Sequence, residues 1–250
     1  VFHVLSIAPE LGKNVMLARL IYTEREAILK LLLKRINEHT PLAYLTNHAR
    51  YCELDFYVDE RVLIPRSPIA ELIYQQFSPW MEADKITNVL ELCTGSACIS
   101  IAMAYAFPEA YITATDISLD ALEVASMNIE SHGLEERVFL IESDVYNNIP
   151  DNKFDMIVTN PPYVCDEEMA ELPNEYLQEP TLALQADDDG LAIVDRILFG
   201  AKERLSDQGI LVVEVGNSEQ ALQAKYPKVP FHWVEFENGG SGVFVLTYAQ

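Results

Sequence analysis

No window of about 18 uninterrupted apolar residues occurs in the 250-residue chain, so no transmembrane helix is predicted. The start, Val1-Phe2-His3-Val4-Leu5, lacks the basic stretch, long apolar stretch and small-residue cleavage site of a signal peptide. It also lacks a Met, as expected of a sequence that begins inside a longer protein. The five histidines, His3, His39, His48, His132 and His232, have no metal-ligand spacing, so each is read as a surface or packed residue and no metal is expected. Basic residues are scarce: 17 Lys and Arg against 39 Asp and Glu leave a net charge of −22. Neutralising a phosphate backbone draws on Lys and Arg, so nucleic acid is disfavoured as the main partner. A basic protein partner fits through electrostatic steering, and solubility alone is the blander reading. The four cysteines, Cys52, Cys93, Cys98 and Cys165, come without a secretory signal, so reduced thiols in the cytoplasm are expected. There are no repeats and no low-complexity tract.

Half of the residues are hydrophobic, enough for one sizeable core and a small appendage. Glu24 to His39 carries Ala27, Ile28, Leu31, Leu32 and Ile36 at helical spacing, and Val15 to Ile21 suggests an earlier helix. Residues 1–45 are therefore read as a small helical domain closed by Pro41. Residues 46–66 are read as a β-hairpin linker, with Phe56, Val58, Val62 and Ile64 alternating around an Asp59-Glu60 turn. Ser67 caps a predicted helix with Pro68 at its first position, running to about Phe77.

Residues 67–250 alternate strand and helix. Strands are predicted at Thr87–Leu92, Tyr111–Thr115, Val138–Ile141, Phe154–Val158 and Gly209–Val215, with Phe231–Phe236 and Val243–Thr247 as a closing hairpin. Helices are predicted at Ala97–Phe107, Leu119–His132 before Gly133, Leu191–Leu205 and Ser218–Lys225. This order implies an α/β, doubly wound, mostly parallel sheet with an antiparallel edge. Asp187-Asp188-Asp189-Gly190 is read as a solvated helix start.

Chemistry is expected at the carboxyl ends of the strands. After the fourth strand, Asn160-Pro161-Pro162-Tyr163 is a stiff corner: neither proline has an N–H, and each fixes its own φ. The first strand ends in Glu91-Leu92-Cys93-Thr94-Gly95-Ser96-Ala97-Cys98, a turn of small residues feeding a helix N-terminus that favours a polar or anionic ligand group. With Gly95 as its single glycine, it is not a dinucleotide fingerprint, and a nicotinamide oxidoreductase is disfavoured. Asp116 ends the second strand, 25 residues beyond Glu91, where an acid typically holds ribose hydroxyls; a helix cap is the alternative. Ser143-Asp144-Val145-Tyr146 follows the third strand.

This combination resembles the Rossmann-like methyltransferases that use S-adenosylmethionine, and the Asn-Pro-Pro-Tyr loop resembles the subset acting on planar nitrogens of adenine or glutamine. Ala43-Tyr44-Leu45-Thr46-Asn47, Phe56 to Pro68, Leu172-Pro173-Asn174-Glu175-Tyr176 and Asn238-Gly239-Gly240-Ser241-Gly242-Val243-Phe244 are similar to the HemK-like protein-glutamine methyltransferases. The Arg66-Ser67-Pro68 version resembles the PrmB branch, which modifies ribosomal protein number three of the large subunit. The resemblance implies a seven-stranded sheet and places Glu91, Cys93, Thr94, Gly95, Ser96 and Ala97 at the cofactor's methionine portion. It places Asp116 at the ribose, Asp144 with Val145 at the adenine, and Asn160, Pro161, Pro162 and Tyr163 at the substrate, Asn160 also touching the cofactor. Ala97 stands where the family has Gly, and the N-terminal part is shorter than the family's. A nucleic-acid adenine methyltransferase, a release-factor glutamine methyltransferase and a non-catalytic cofactor-binding assembly factor are the alternatives. An intact loop weighs against the last, and the charge weighs against nucleic acid.

Overall fold

The computed structural model describes residues 2–7 and 19–250. In chain order the elements are α1 (Tyr22–Glu38), α2 (Leu42–Thr46), β1 (Ala49–Tyr51), β2 (Leu54–Phe56), α3 (Ile69–Tyr74), β3 (Asn88–Leu92), α4 (Cys98–Ala106), β4 (Tyr111–Asp116), α5 (Leu119–His132), β5 (Val138–Glu142) and β6 (Phe154–Thr159). They continue with α6 (Asp166–Glu171), α7 (Thr181–Leu184), α8 (Ala192–Arg204), β7 (Leu205–Glu214), α9 (Glu219–Lys225), β8 (His232–Trp233) and β9 (Val243–Thr247). Seven strands form one sheet in the order β5-β4-β3-β6-β7-β9-β8. The strands from β3 to β7 pair parallel, and β9 lies antiparallel between β7 and β8. The winding runs outward from β3 in one direction and from β6 in the other. The crevice between their carboxyl ends is thus a topological switch point, where open sheets bind ligands.

The central strands β3, β6, β7 and β9 are buried on both faces by residues that alternate along each strand. Val89, Met156, Val158, Ile210, Val212, Val243 and Val245 pack beneath α3, α4 and α5. Leu90, Ile157, Leu211, Val213, Phe244 and Leu246 point the other way and pack against α8 and α9. A period of two with both phases apolar is what a doubly covered sheet requires. Helix α5 is bounded as its sequence predicts: the Ser118 hydroxyl accepts the Ala121 N–H at 3.2 Å, and Gly133 turns left-handed at φ 64°.

The linker differs from the expectation. The hairpin is β1–β2, not 56–64, because Cys52 and Glu53 both take positive φ, 49° and 62°, in a two-residue turn. Beyond Phe56 the chain pairs with no strand and turns at Asp59-Glu60, where the Val62 N–H donates to the Asp59 carbonyl at 3.1 Å. Asp59 there accepts the Arg61 N–H at 3.1 Å and binds its guanidinium at 2.7 Å, a local pairing that competes with a strand ladder. The helix expected to reach Phe77 ends at Tyr74, since Gln76 and Phe77 both have positive φ. Strand β8 is only His232–Trp233. The expected helix over Val15 to Ile21 lies mostly outside the described residues, and Arg19 to Ile21 is not helical.

Helix α1 spans the predicted stretch, but none of its residues is buried, and Leu29, Leu32, Leu33 and Ile36 are exposed. The neighbouring α2 was not predicted. Its Tyr44 hydroxyl donates to the Val62 carbonyl at 2.6 Å, and Tyr44 packs with Val58 and Val62 onto Ala121 and Val124 of α5. No helix among the described residues is long and apolar enough to cross a membrane.

Candidate active site

The strand ends are tied to each other before any ligand is considered. The Thr159 hydroxyl at the end of β6 donates to the Leu92 carbonyl at the end of β3 at 2.8 Å. The Thr94 N–H donates to the Thr115 carbonyl at 2.8 Å, joining the β3 turn to β4. Asp116 receives the Gly95 N–H on Oδ2 and the Ser118 N–H on Oδ1, each at 2.9 Å. Ser118 in turn caps α5, so Asp116 is not the cap itself. Asn128 of α5 is buried; it donates to the Ser96 carbonyl at 2.9 Å and exchanges two hydrogen bonds with the Tyr57 backbone. It fastens the glycine turn to the linker.

These strand ends surround a cavity of about 310 Å³. Glu91, Cys93, Thr94, Gly95 and Ser96 line it from β3 and its turn. Asp116, Asp144 and Val145 line it from the next two strand ends, and Asn160 and Pro162 from the loop after β6. Ala97 is not a lining residue: it is fully buried behind the turn, in the left-handed region at φ 62°. Its methyl therefore costs backbone strain of about 1 kcal/mol instead of crowding the cavity. Val145 is a β-branched residue at φ 53°, a rarer conformation still.

A second cavity, of about 420 Å³, opens on the other side of the loop. Pro161 and Tyr163 line it, with Glu168 and Glu171 of α6, Tyr176 and Glu214. Asn160 borders both cavities, as do Leu63, Arg66 and Ala183. Among the described residues neither loop proline's carbonyl accepts a backbone hydrogen bond, as expected of a corner with no ladder. The Asn160 amide also has no partner there, whereas its neighbours are held: Thr159 as above, and Tyr163 by its N–H to the Leu184 carbonyl at 3.2 Å.

The charges around the first cavity are sorted into pairs, with two left over. Arg61 pairs with Asp59, Arg66 with Glu179 and Arg196 with Asp144, at 2.7 Å in each case. Glu91 and Asp116 have no such cationic partner among the described residues. Burial pushes the Glu91 carboxyl up to about 7, against the lowering effect of bonds from Ser100 and Thr94. Burial likewise raises Asp116, against the backbone N–H groups of Ser118, Gly95 and Ile117 that lower it. The Thr94 hydroxyl and both Ser100 donors converge on Glu91 Oε2, leaving Oε1 clear of all three. A desolvated acid with one uncommitted oxygen suits a cationic ligand group, and Asp116 suits a pair of hydroxyls. This donor set fits the methionine and ribose parts of S-adenosylmethionine. Among the described residues no group of three His, Cys, Asp or Glu is placed to hold a metal ion. All four cysteines are free, and burial raises the thiols of Cys93 and Cys98 well above their usual value.

Sequence reasoning found the strand ends and the loop but missed Asn128, Glu179 and Glu214. Glu179 is buried; it also accepts the Ile64 N–H at 3.0 Å, and its partner Arg66 lies 4.9 Å above the Tyr176 ring. The 160–190 region, left without elements by the sequence reading, holds α6 and α7, and their residues line both cavities.

The fold is that of a Rossmann-like methyltransferase, and a family model described as a methyltransferase small domain matches residues 75–187. A ribosomal protein uL3 glutamine methyltransferase of Francisella tularensis subsp. tularensis is 46% identical over 251 residues, covering 100% of this chain and 80% of the relative. One of Neisseria gonorrhoeae is 46% identical over 251 residues, covering 100% of this chain and 84% of the relative. The fold is shared with the hMettl16 catalytic domain solved with a MAT2A 3′UTR hairpin: TM-score 0.60, 17% identity, 90% of this chain and 81% of that one. The chain belongs to the family of ribosomal protein uL3 glutamine methyltransferases.

Proposed function

We propose that this chain methylates the side-chain amide nitrogen of a glutamine in ribosomal protein uL3, with S-adenosylmethionine in the first cavity and the glutamine in the second. The observation that carries this arrangement is Asn160, a half-buried amide bordering both cavities at the switch point. Glu91, with the Cys93–Ser96 turn, holds the cofactor's methionine portion. Asp116 holds the ribose, and Val145 and Asp144 flank the adenine. When bound, the cofactor supplies a methyl group on a sulfonium whose departure leaves a neutral sulfide, so no general acid is needed.

The chain's task is to present a poor nucleophile. A carboxamide lone pair is delocalised into its carbonyl. The Asn160 side-chain oxygen and the Pro161 carbonyl, both uncommitted, accept the amide's two N–H groups and turn the nitrogen toward the first cavity. Each such bond strengthens as positive charge develops, contributing about 1.5–3 kcal/mol, and orientation adds to this. Tyr163 packs against the amide plane. The methylated amide is strongly acidic once cationic and releases its proton without a dedicated base.

The partner is a basic segment, steered in by the net charge of −22. The N-terminal part, residues 1–45, joins by the 46–66 linker to the methyltransferase part, 67–250, and contributes to reading the protein substrate. Arg35 of α1 reaches Glu175, beside the second cavity, at 3.0 Å. Free thiols suit a cytoplasmic setting. The test is tandem mass spectrometry of uL3 after incubation with cofactor and either the native chain or Asn160→Ala. One glutamine gains a single methyl with the native chain. Asn160→Ala loses at least about 100-fold in rate, with calorimetric cofactor affinity kept within a few-fold. Transfer to DNA or RNA instead, or a fully active Asn160→Ala, overturns the reading.

A further inference from the structure

Beneath the Asn-Pro-Pro-Tyr loop lies a buried acid that the mechanism above does not use. Glu214 closes β7, and its carboxylate accepts two hydroxyls: Tyr163 on Oε1 at 2.9 Å and Ser67 on Oε2 at 2.5 Å. Ser67 stands just before α3, 147 residues away in the chain. The stretch that follows Glu214 encloses the rest of Tyr163. The Ser218 hydroxyl donates to the Tyr163 carbonyl at 3.2 Å. A Cβ on Gly216 would lie 2.5 Å from the ring's Cε2, so nothing larger than glycine fits under the ring. From another loop, Gly190 approaches the Tyr163 carbonyl so closely that a Cβ there would lie 2.1 Å from its oxygen.

An ionised carboxylate only accepts hydrogen bonds, so it can take one from each hydroxyl and set the direction of both. Burial disfavours the charge on Glu214, and these two donors oppose that effect. Both Tyr163 and Glu214 form walls of the second cavity.

We propose that Glu214 is a positioning residue for methyl transfer: through the Tyr163 hydroxyl it fixes the ring against the substrate carboxamide, and Ser67 fixes the rotation of the acid. The inference rests on the reading that the second cavity takes the glutamine. In this proposal Glu214 acts through Tyr163 and not on the reacting atoms.

The experiment compares Glu214→Ala, Glu214→Gln, Tyr163→Phe and the Glu214→Ala/Tyr163→Phe double variant, by steady-state kinetics on uL3 and calorimetric cofactor binding. Glu214→Ala and Tyr163→Phe each lower kcat about tenfold or more, with KM for uL3 changed less than about threefold and cofactor Kd within about twofold. The double variant loses no more than about threefold beyond the worse single one, because both remove the same contact. Glu214→Gln, which keeps an acceptor oxygen, recovers most of the rate. A Glu214→Ala kcat within about twofold of the native chain, or losses that multiply in the double variant, overturns the proposal. If Glu214→Ala fails to fold in a thermal melt, Tyr163→Phe decides: it removes one hydroxyl and keeps the ring, and a native kcat there overturns the proposal equally. An active Asn160→Ala removes the reading of the cavity itself. An inactive Asn160→Ala beside a fully active Tyr163→Phe removes this inference alone.

Discussion

Asp116 holds the backbone of Gly95: the 2.9 Å bond from the Gly95 N–H to Asp116 Oδ2 spans 21 residues and joins the ends of two adjacent strands. The acid assigned to the ribose therefore also shapes the turn assigned to the methionine portion.

Asp116→Ala removes both functions at once. Calorimetry should show cofactor affinity falling at least about 100-fold, about 2.7 kcal/mol and so near the top of the range of about 1.5–3 kcal/mol that one lost charge-assisted hydrogen bond contributes. Asp116→Asn keeps one acceptor oxygen for a backbone N–H and should fall less. Unchanged affinity in Asp116→Ala removes the residue from the site.

Glu91 makes cofactor affinity depend on pH near neutrality. Its carboxyl is held up to about 7 by burial, so it is neutral below that pH and anionic above it. A cationic ligand binds the anion. Affinity measured by calorimetry should therefore rise about tenfold per pH unit below 7 and level off above it. Glu91→Gln should bind weakly and lose this dependence, and a flat profile in the native chain would contradict the assignment.

Gly242 is fixed by its neighbour. A Cβ at this position would lie 2.1 Å from the Gly216 carbonyl oxygen, and φ is +70°. Backbone cannot yield as a flexible side chain does, so Gly242→Ala should destabilise the fold by about 3 kcal/mol or more. At about 2–4 °C per kcal/mol for a chain of this size, a thermal melt should show a drop of several degrees. The same shift displaces Gly216 from under Tyr163, so activity should fall further than stability alone accounts for.

Much of the sheet is legible locally. From Asn88 to Thr247 most strands and helices fall within one or two residues of their predicted bounds, because both phases of the central strands are apolar and helices such as α5 carry their own stops. Asn160-Pro161-Pro162 and Gly95 were visible because proline and glycine restrict or free the backbone wherever they occur. The partners of Glu214, Asn128 and Glu179 were not visible. Ser67 is 147 residues from Glu214, Tyr57 is 71 from Asn128 and Arg66 is 113 from Glu179. Such pairs form only when the sheet closes, and a lone Glu or Asn carries no sign of its future neighbour. The misplaced hairpin has the opposite cause. Asp59-Glu60 does form a turn, closed by the Val62 N–H on the Asp59 carbonyl at 3.1 Å, but no strands pair across it, because Asp59 commits its side chain to Arg61 and the unremarkable Cys52-Glu53 pair makes the hairpin.

Asn160, Arg66, Leu63 and Ala183 stand between two adjoining chambers. An inhibitor with an amino-acid arm for one chamber and a carboxamide arm for the other, joined by a tether short enough to pass this partition, binds its second arm at high effective concentration. On the proposed arrangement, its gain over the separate arms measures how closely the two chambers adjoin.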